Sequence, residues 1–221
     1  MLRDRIERVE ERIRAAASRA GRRRDEITLI AVTKTWAAEA ITGAYALGLR
    51  DFGENYVQEF ETKTPALALP DARFHLIGHL QSNKSNRAAE LFDVVQTVDS
   101  ARLGRRLNDA PRRRSGALEV LIEVRLSAES AKSGAEPEQV QALATALAGF
   151  PNLRLKGLMT MPPWSDDPET SRPFFRRLHD LAASLGLPEL SMGMSHDFEV
   201  AIEEGATMVR VGTALFGSRE P

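Results

Sequence analysis

A lysine stands where a β-strand runs out. The stretch Ile27-Thr28-Leu29-Ile30-Ala31-Val32-Thr33-Lys34-Thr35 opens on apolar, β-branched residues of strand length and ends on Lys34. Among 30 basic residues, the lysines are Lys34, Lys63, Lys84, Lys132 and Lys156, and the rest are arginines. Arginine does not give up its proton. A lysine amine does once partial burial lowers its pKa, and it then condenses with aldehydes to a Schiff base. The competing reading is a lysine that marks the strand end with its head in solvent. Two later stretches offer donors for an anion: Met192-Gly193-Met194-Ser195 and Arg210-Val211-Gly212-Thr213. Serine and threonine bring hydroxyls, and glycine lets backbone N–H groups approach closely. Taken singly, Ser195 also reads as a helix N-cap and Gly212 as a tight turn. Asp197 and Glu199, in the same expected helical turn, weigh against an anion there.

The elements that must position these residues alternate along the chain. Leu2, Ile6, Val9, Ile13, Ala16 and Ala20, spaced by threes and fours, predict a helix over 2–20. Strands are expected at 27–33, 49–53, 73–78, 93–98, 118–125, 153–159, 189–193 and 206–211. The helices between them fall at 36–47, 55–64, 83–91, 100–108, 136–148, 169–185 and 195–204, and a short turn follows the last strand. Repeated strand–helix units with short connections imply a parallel sheet with right-handed crossovers. Eight units in 221 residues match a compact (β/α)8 TIM barrel, an α/β fold occupying 1–221 as a single domain. The N-terminal helix is expected to fill the gap left by the missing eighth helix. An open doubly wound sheet would carry a glycine-rich turn after its first strand, whereas this turn reads Thr33-Lys34-Thr35-Trp36.

Composition narrows the function classes. Net charge is −1 with both signs mixed, so nothing draws the chain globally to nucleic acid or anionic membrane. The arginine clusters at 22–24 and 112–114 lack interleaved aromatics and read as solvated surface. Without cysteine there are no disulfides, thiolate metal sites or cysteine nucleophiles. His75 and His79 lack a third ligand nearby in sequence, so no metal site is expected. No apolar run approaches a membrane span and no signal core opens the chain, so the expected location is cytoplasmic.

A barrel carries its site at the C-terminal strand ends, and the loops after strands seven and eight commonly bind phosphate. Lys34 lies on the strand adjacent to them. An amine that traps aldehydes beside a phosphate cup calls for a ligand with both groups, and pyridoxal 5'-phosphate is such a molecule.

Seven stretches carry a resemblance over nearly the whole chain: Ala31-Val32-Thr33-Lys34-Thr35, Phe52-Gly53-Glu54-Asn55-Tyr56-Val57-Gln58-Glu59, His75-Leu76-Ile77-Gly78-His79-Leu80-Gln81-Ser82-Asn83-Lys84, Ser130-Ala131-Lys132-Ser133-Gly134, Gly157-Leu158-Met159-Thr160-Met161-Pro162, Leu190-Ser191-Met192-Gly193-Met194-Ser195, and Met208-Val209-Arg210-Val211-Gly212-Thr213-Ala214-Leu215-Phe216-Gly217. On these the chain resembles the single-domain pyridoxal-phosphate-binding proteins of the YggS/PROSC family, the pyridoxal phosphate homeostasis proteins. That family is similar to the barrel of alanine racemase without its second domain.

The resemblance implies that Lys34 holds pyridoxal phosphate as an internal aldimine. It implies that Ser195, Gly212 and Thr213 bind the phosphate, that Arg210 faces the pyridine nitrogen and that Asn55 belongs to the cofactor's surroundings. Arg125 and Ala37 depart from the family pattern, which commonly has asparagine and proline there. An arginine at the pyridine nitrogen weakens the ring as an electron sink. Alanine racemase adds a tyrosine base from its other domain, whereas this chain has only Tyr45 and Tyr56. The implied function is therefore a carrier in pyridoxal phosphate homeostasis without catalytic turnover. The alternative is a single-domain amino-acid racemase with His79 or Tyr56 as second base. Implied partners are the cofactor and apo-enzymes that depend on it, with the protein a monomer or weak homodimer.

Overall fold

Eight parallel strands close into a ring in sequence order: Thr28–Val32 (β1), Asp51–Glu54 (β2), Arg73–Leu76 (β3), Val94–Val98 (β4), Leu118–Glu123 (β5), Leu153–Met159 (β6), Glu189–Met194 (β7) and Met208–Val211 (β8). β1 seals it, pairing with β2 on one side and with β8 on the other. The helices are Leu2–Arg19 (α1), Ala38–Ala46 (α2), Val57–Lys63 (α3), Ser85–Leu91 (α4), Ala101–Asn108 (α5), Pro137–Ala148 (α6), Arg172–Ser184 (α7), Phe198–Glu203 (α8) and Thr213–Phe216 (α9). This computed structural model describes residues 1–112, 116–127 and 133–217. Arg113, Arg114, Ser130, Ala131 and Lys132, which belong to stretches singled out above, lie outside the described residues. Among the described residues, no helix is long and apolar enough to cross a membrane.

The barrel matches the sequence pattern, with differences at element starts. The helix expected from residue 36 begins at Ala38, because Thr35 takes a left-handed φ of 64° and breaks the turn. The helix expected at 195–204 begins only at Phe198, with Asp197 at its N-cap position, so Ser195 is not a helix cap. The stretches at 83–91 and 169–185 each open as a 3-10 turn, Ser82–Lys84 and Pro168–Ser171, before becoming α-helical.

The missing eighth helix is replaced as the sequence suggested. Ile6, Val9, Ile13, Ala16 and Ala17 are the buried stripe of α1, which packs on α8 and α9. Arg12 grips Glu199 with two hydrogen bonds of 2.8 and 2.7 Å, and Arg19 reaches Glu203 at 2.7 Å. Two of the arginines at 22–24 are staples rather than solvated surface. Arg22 donates to the carbonyls of Ile202 and Ala206, and Arg24 holds Glu10 through two hydrogen bonds. Arg23 stays exposed, paired with Asp25.

Strand alternation sorts side chains into two layers. Outward residues such as Leu29, Ala31, Phe52, Phe74 and Leu76 pack under the helices in one continuous core. Phe60 lies 4.6 Å from Phe74 and 4.8 Å from Phe92, which locks α3 and α4 onto β3. Inside the ring, Val94, Leu121 and Met159 form a smaller apolar cluster with Met161. The rest of the interior carries buried polar groups, among them His75, Gln96, Ser191 and Arg210.

Candidate functional site

Lys34 is held from both sides of the chain. The Thr33 carbonyl, just before it, accepts from Lys63 Nζ at 2.9 Å, and the Thr33 hydroxyl donates to Glu54 Oε1 at 2.8 Å. Just after it, the Thr35 N–H donates to Glu59. Lys63, almost fully buried, joins these anchors by pairing with Glu54 at 2.8 Å and Glu59 at 2.7 Å. A left-handed threonine is a strained conformation that persists where surroundings over-determine it, as here. This clamp occupies the layer between β1, β2 and α3, so Lys34 itself, one residue on, turns inward to the barrel mouth. Burial pushes the Glu54 carboxyl above its usual range, with Lys63 and Thr33 pulling the other way. Among the described residues its Oε2 has no hydrogen-bond partner.

The side expected to hold an anion is built by β7 and β8. Between Ser191 and Met194 the strand advances three residues while β8 advances two, from Met208 to Arg210. That irregularity coincides with Gly193 at φ 89°, where a Cβ would lie 2.5 Å from the Ala201 side chain and 2.8 Å from Phe198. Only glycine fits there, and the kink aims Ser195 at the loop after β8. Ser195 Oγ accepts from Gly212 N–H at 3.1 Å and from Ala214 N–H at 3.3 Å. The two loops expected to share an anion are therefore within hydrogen-bond distance of each other.

The acids that weighed against an anion are already engaged. Asp197 accepts from the Met194 N–H at 2.7 Å and the Ser171 hydroxyl at 2.9 Å, and Glu199 belongs to Arg12.

Arg210 closes the floor, with its Nη1 donating to Ser191 at 2.6 Å and its Nη2 to the Thr160 carbonyl at 2.8 Å. Burial lowers this guanidinium to about 10, against the pull of the Asp197 and Glu123 carboxylates, so it remains charged at neutral pH.

Lys34, Asn55, Ser195, Arg210, Gly212 and Thr213 all line one cavity of about 260 Å³, at the scale of a small-ligand site. Its apolar walls are Val32, Ile77, Met161 and Met194. Sequence reasoning missed Trp164 and His196, whose rings lie 6.0 Å apart at the rim. No periodicity marks them, because both sit in loops. It also missed the clamp, although Glu54 and Glu59 lie in the quoted Phe52–Glu59 stretch. The two residues weighed as a second base do not line this cavity. Tyr56 is exposed, and His79 lines a neighbouring cavity with Tyr56, Gln81 and Lys84. Arg125 also lies outside it, paired with Glu136.

One buried carboxylate at the mouth is a testable cost. Glu123 accepts from Ser133 Oγ at 3.2 Å, and burial pushes its carboxyl above the usual range, with Asp99 adding to the rise. A raised value means the folded state binds the proton more readily than the unfolded chain. The ionised form therefore costs stability above that value, and the cost fades as pH falls through it. Glu123→Gln is expected to raise the melting temperature at neutral pH, with a margin that shrinks toward the ordinary carboxylate range. A margin independent of pH in a thermal series would show that charge burial is not the cause.

Comparison with known proteins follows the same outline. The family described as alanine racemase, N-terminal domain, matches residues 5–220. A pyridoxal phosphate homeostasis protein of Pseudomonas aeruginosa is 46% identical over 217 residues, covering 97% of this chain and 94% of that one. The solved structure of PipY from Synechococcus elongatus PCC7942 with PLP bound is 35% identical. It superposes with a TM-score of 0.83 over 98% of this chain and 100% of that one. The alanine racemase of Corynebacterium glutamicum shares the fold, with a TM-score of 0.69 at 20% identity over 96% of this chain and 60% of its own.

Proposed function

The chain belongs to the alanine racemase N-terminal domain family, among the pyridoxal phosphate homeostasis proteins, and from that premise we propose that it binds pyridoxal 5'-phosphate in the cavity beside Lys34. The observation that carries this reading is one cavity that has Lys34, its neighbours clamped, at one edge and the Ser195–Gly212 junction at another. The residues present fit the ligand. Lys34 offers the amine that an aldehyde takes up. The Ser195 and Thr213 hydroxyls and the backbone at Gly212 offer donors to a phosphate, Arg210 offers N–H groups to the ring nitrogen, and Asn55 borders the mouth. When bound, the cofactor supplies a reactive aldehyde and an electron-accepting ring.

The protein acts as a holder rather than an enzyme. A guanidinium at the ring nitrogen disfavours its protonation, which weakens the electron sink. Neither His79 nor Tyr56 reaches the cavity to serve as a second base. Such a holder keeps free aldehyde low and can release it to apo-enzymes that need it. The barrel works as one cofactor-binding unit over 1–221, inside the cell, as a monomer or weak homodimer.

The test is incubation of the loaded protein with single-enantiomer amino acids in deuterated water. The expected result is a visible cofactor band with no solvent deuterium at Cα. Deuterium incorporation at a catalytic rate would replace the holder with a racemase.

A further inference from the structure

A line of hydrogen bonds crosses the barrel interior from Arg210 toward the opposite end. Arg210 Nη1 donates to Ser191 Oγ at 2.6 Å, and the Ser191 hydroxyl donates to Gln96 Oε1 at 2.6 Å. Gln96 Nε2 meets His75 Nδ1 at 3.1 Å, and His75 Nε2 meets Asp51 Oδ1 at 2.9 Å. These residues come from β8, β7, β4, β3 and β2, so the line spans the ring rather than following one strand. Ser191, Gln96 and His75 are fully buried, and only Asp51 approaches the surface.

The two ends fix the direction. A guanidinium only donates and a carboxylate only accepts. With Asp51 accepting, His75 Nε2 carries the ring hydrogen, and Nδ1 accepts from the Gln96 amide. The second amide hydrogen of Gln96 points at Met208 Sδ, 3.6 Å away. Gln96 Oε1 is then left for the Ser191 hydroxyl, whose oxygen accepts from Arg210. Every group has one role, and turning any of them over sets donor against donor or acceptor against acceptor.

Burying the side chains of Arg210, Ser191, Gln96 and His75 in a barrel is costly where apolar residues would fill the space. The arrangement fixes Arg210 without neutralising it, since both acceptors of its guanidinium, Ser191 Oγ and the Thr160 carbonyl, carry no charge. A direct carboxylate partner would have satisfied the charge and drawn it from the cavity.

We propose that Ser191, Gln96 and His75 are positioning residues that hold the Arg210 guanidinium against the ring nitrogen of the ligand. This rests on the reading that the cavity binds pyridoxal 5'-phosphate. The line sets the rotamer of Arg210 from below, and the N–H groups not committed to Ser191 and Thr160 face the cavity floor.

The experiment compares pyridoxal 5'-phosphate with its 1-deaza analogue, in which C–H replaces the ring nitrogen. Dissociation constants for both are read by tryptophan fluorescence on the full chain. Wild type is expected to prefer the natural ligand by about 10- to 100-fold, the range for a hydrogen bond to a charged donor. Ser191→Ala and Gln96→Met each cut the line and should lower that ratio by roughly three- to tenfold. Affinity for the analogue should stay unchanged, and Ser191→Thr, which keeps the hydroxyl, should restore the ratio.

Variants that weaken both ligands alike would make the line core packing only and overturn the proposal. Equal binding of the two ligands by wild type would also overturn it, because Arg210 would then not meet the ring nitrogen. Binding of neither ligand would fail the cofactor reading itself. If Gln96→Met does not fold, as a melting curve would show, the Ser191 pair decides alone.

Discussion

Lys34→Ala is expected to yield a protein that stays colourless with added pyridoxal 5'-phosphate, where wild type shows a visible band that borohydride abolishes. In wild type, borohydride should leave a covalent adduct that peptide mapping assigns to Lys34. Losing the covalent attachment should weaken binding by at least about a hundredfold, or about 2.7 kcal/mol. The other lysines differ in setting. Lys63 is tied to two carboxylates and a carbonyl inside the clamp, and Lys156 pairs with Glu189 at 2.9 Å. Lys84 lines the neighbouring cavity. Lys34→Arg should behave like the alanine variant although it keeps the charge, because arginine does not supply a neutral amine. An adduct found mainly on Lys84 or Lys132 would move the site.

Ser195→Ala and Thr213→Ala are expected each to weaken pyridoxal 5'-phosphate binding by one to two orders of magnitude. Each hydroxyl would donate to a charged acceptor, a bond worth about 1.5–3 kcal/mol. Pyridoxal, which has the aldehyde and no phosphate, should bind wild type weakly and be nearly indifferent to both changes. The competing role for Ser195 is a staple between the loops after β7 and β8, since it accepts from the Gly212 and Ala214 N–H groups. Loss of a staple would lower the melting temperature and affect both ligands equally. The ratio of the two affinities therefore separates anion binding from loop bracing. Equal losses for the two ligands would place the phosphate elsewhere on the rim.

The architecture was legible because a closed barrel writes its period into the chain. Apolar β-branched runs alternate with helical stripes, and the α1 stripe of Ile6, Val9 and Ile13 reads as a helix without partners in view. The six candidate residues were legible as strand-end residues, and they do meet at one cavity. What stayed hidden depends on distance across the ring. Gln96 in Val-Val-Gln-Thr-Val and His75 in Arg-Phe-His-Leu were visible as polar residues inside apolar runs, but nothing local shows that they face each other across β3 and β4. The Lys63 clamp was hidden for a different reason. A lysine late in a helix reads as a solvated residue suited to the helix dipole, and only the packing of α3 on β1 and β2 buries it. The start of α8 was misjudged because Ser195 has the chemistry of an N-cap, while the kink at Gly193 spends it on the next loop instead.

Closure of the ring by β1 on β8, and of the helix layer by α1 on α8 and α9, joins elements that lie far apart along the chain. Lys34 leaves the ribosome long before Ser195, Arg210 and Thr213. A nascent chain thus carries Lys34 before the residues that share its cavity have been made. Contacts of such sequence separation form late in folding, after loop closure has been met by the rest of the barrel. The cavity is therefore complete only once β7, β8 and the loops after them are in place. A chain stalled before β8 lacks Arg210, Gly212 and Thr213, and with them one wall of the cavity that Lys34 lines.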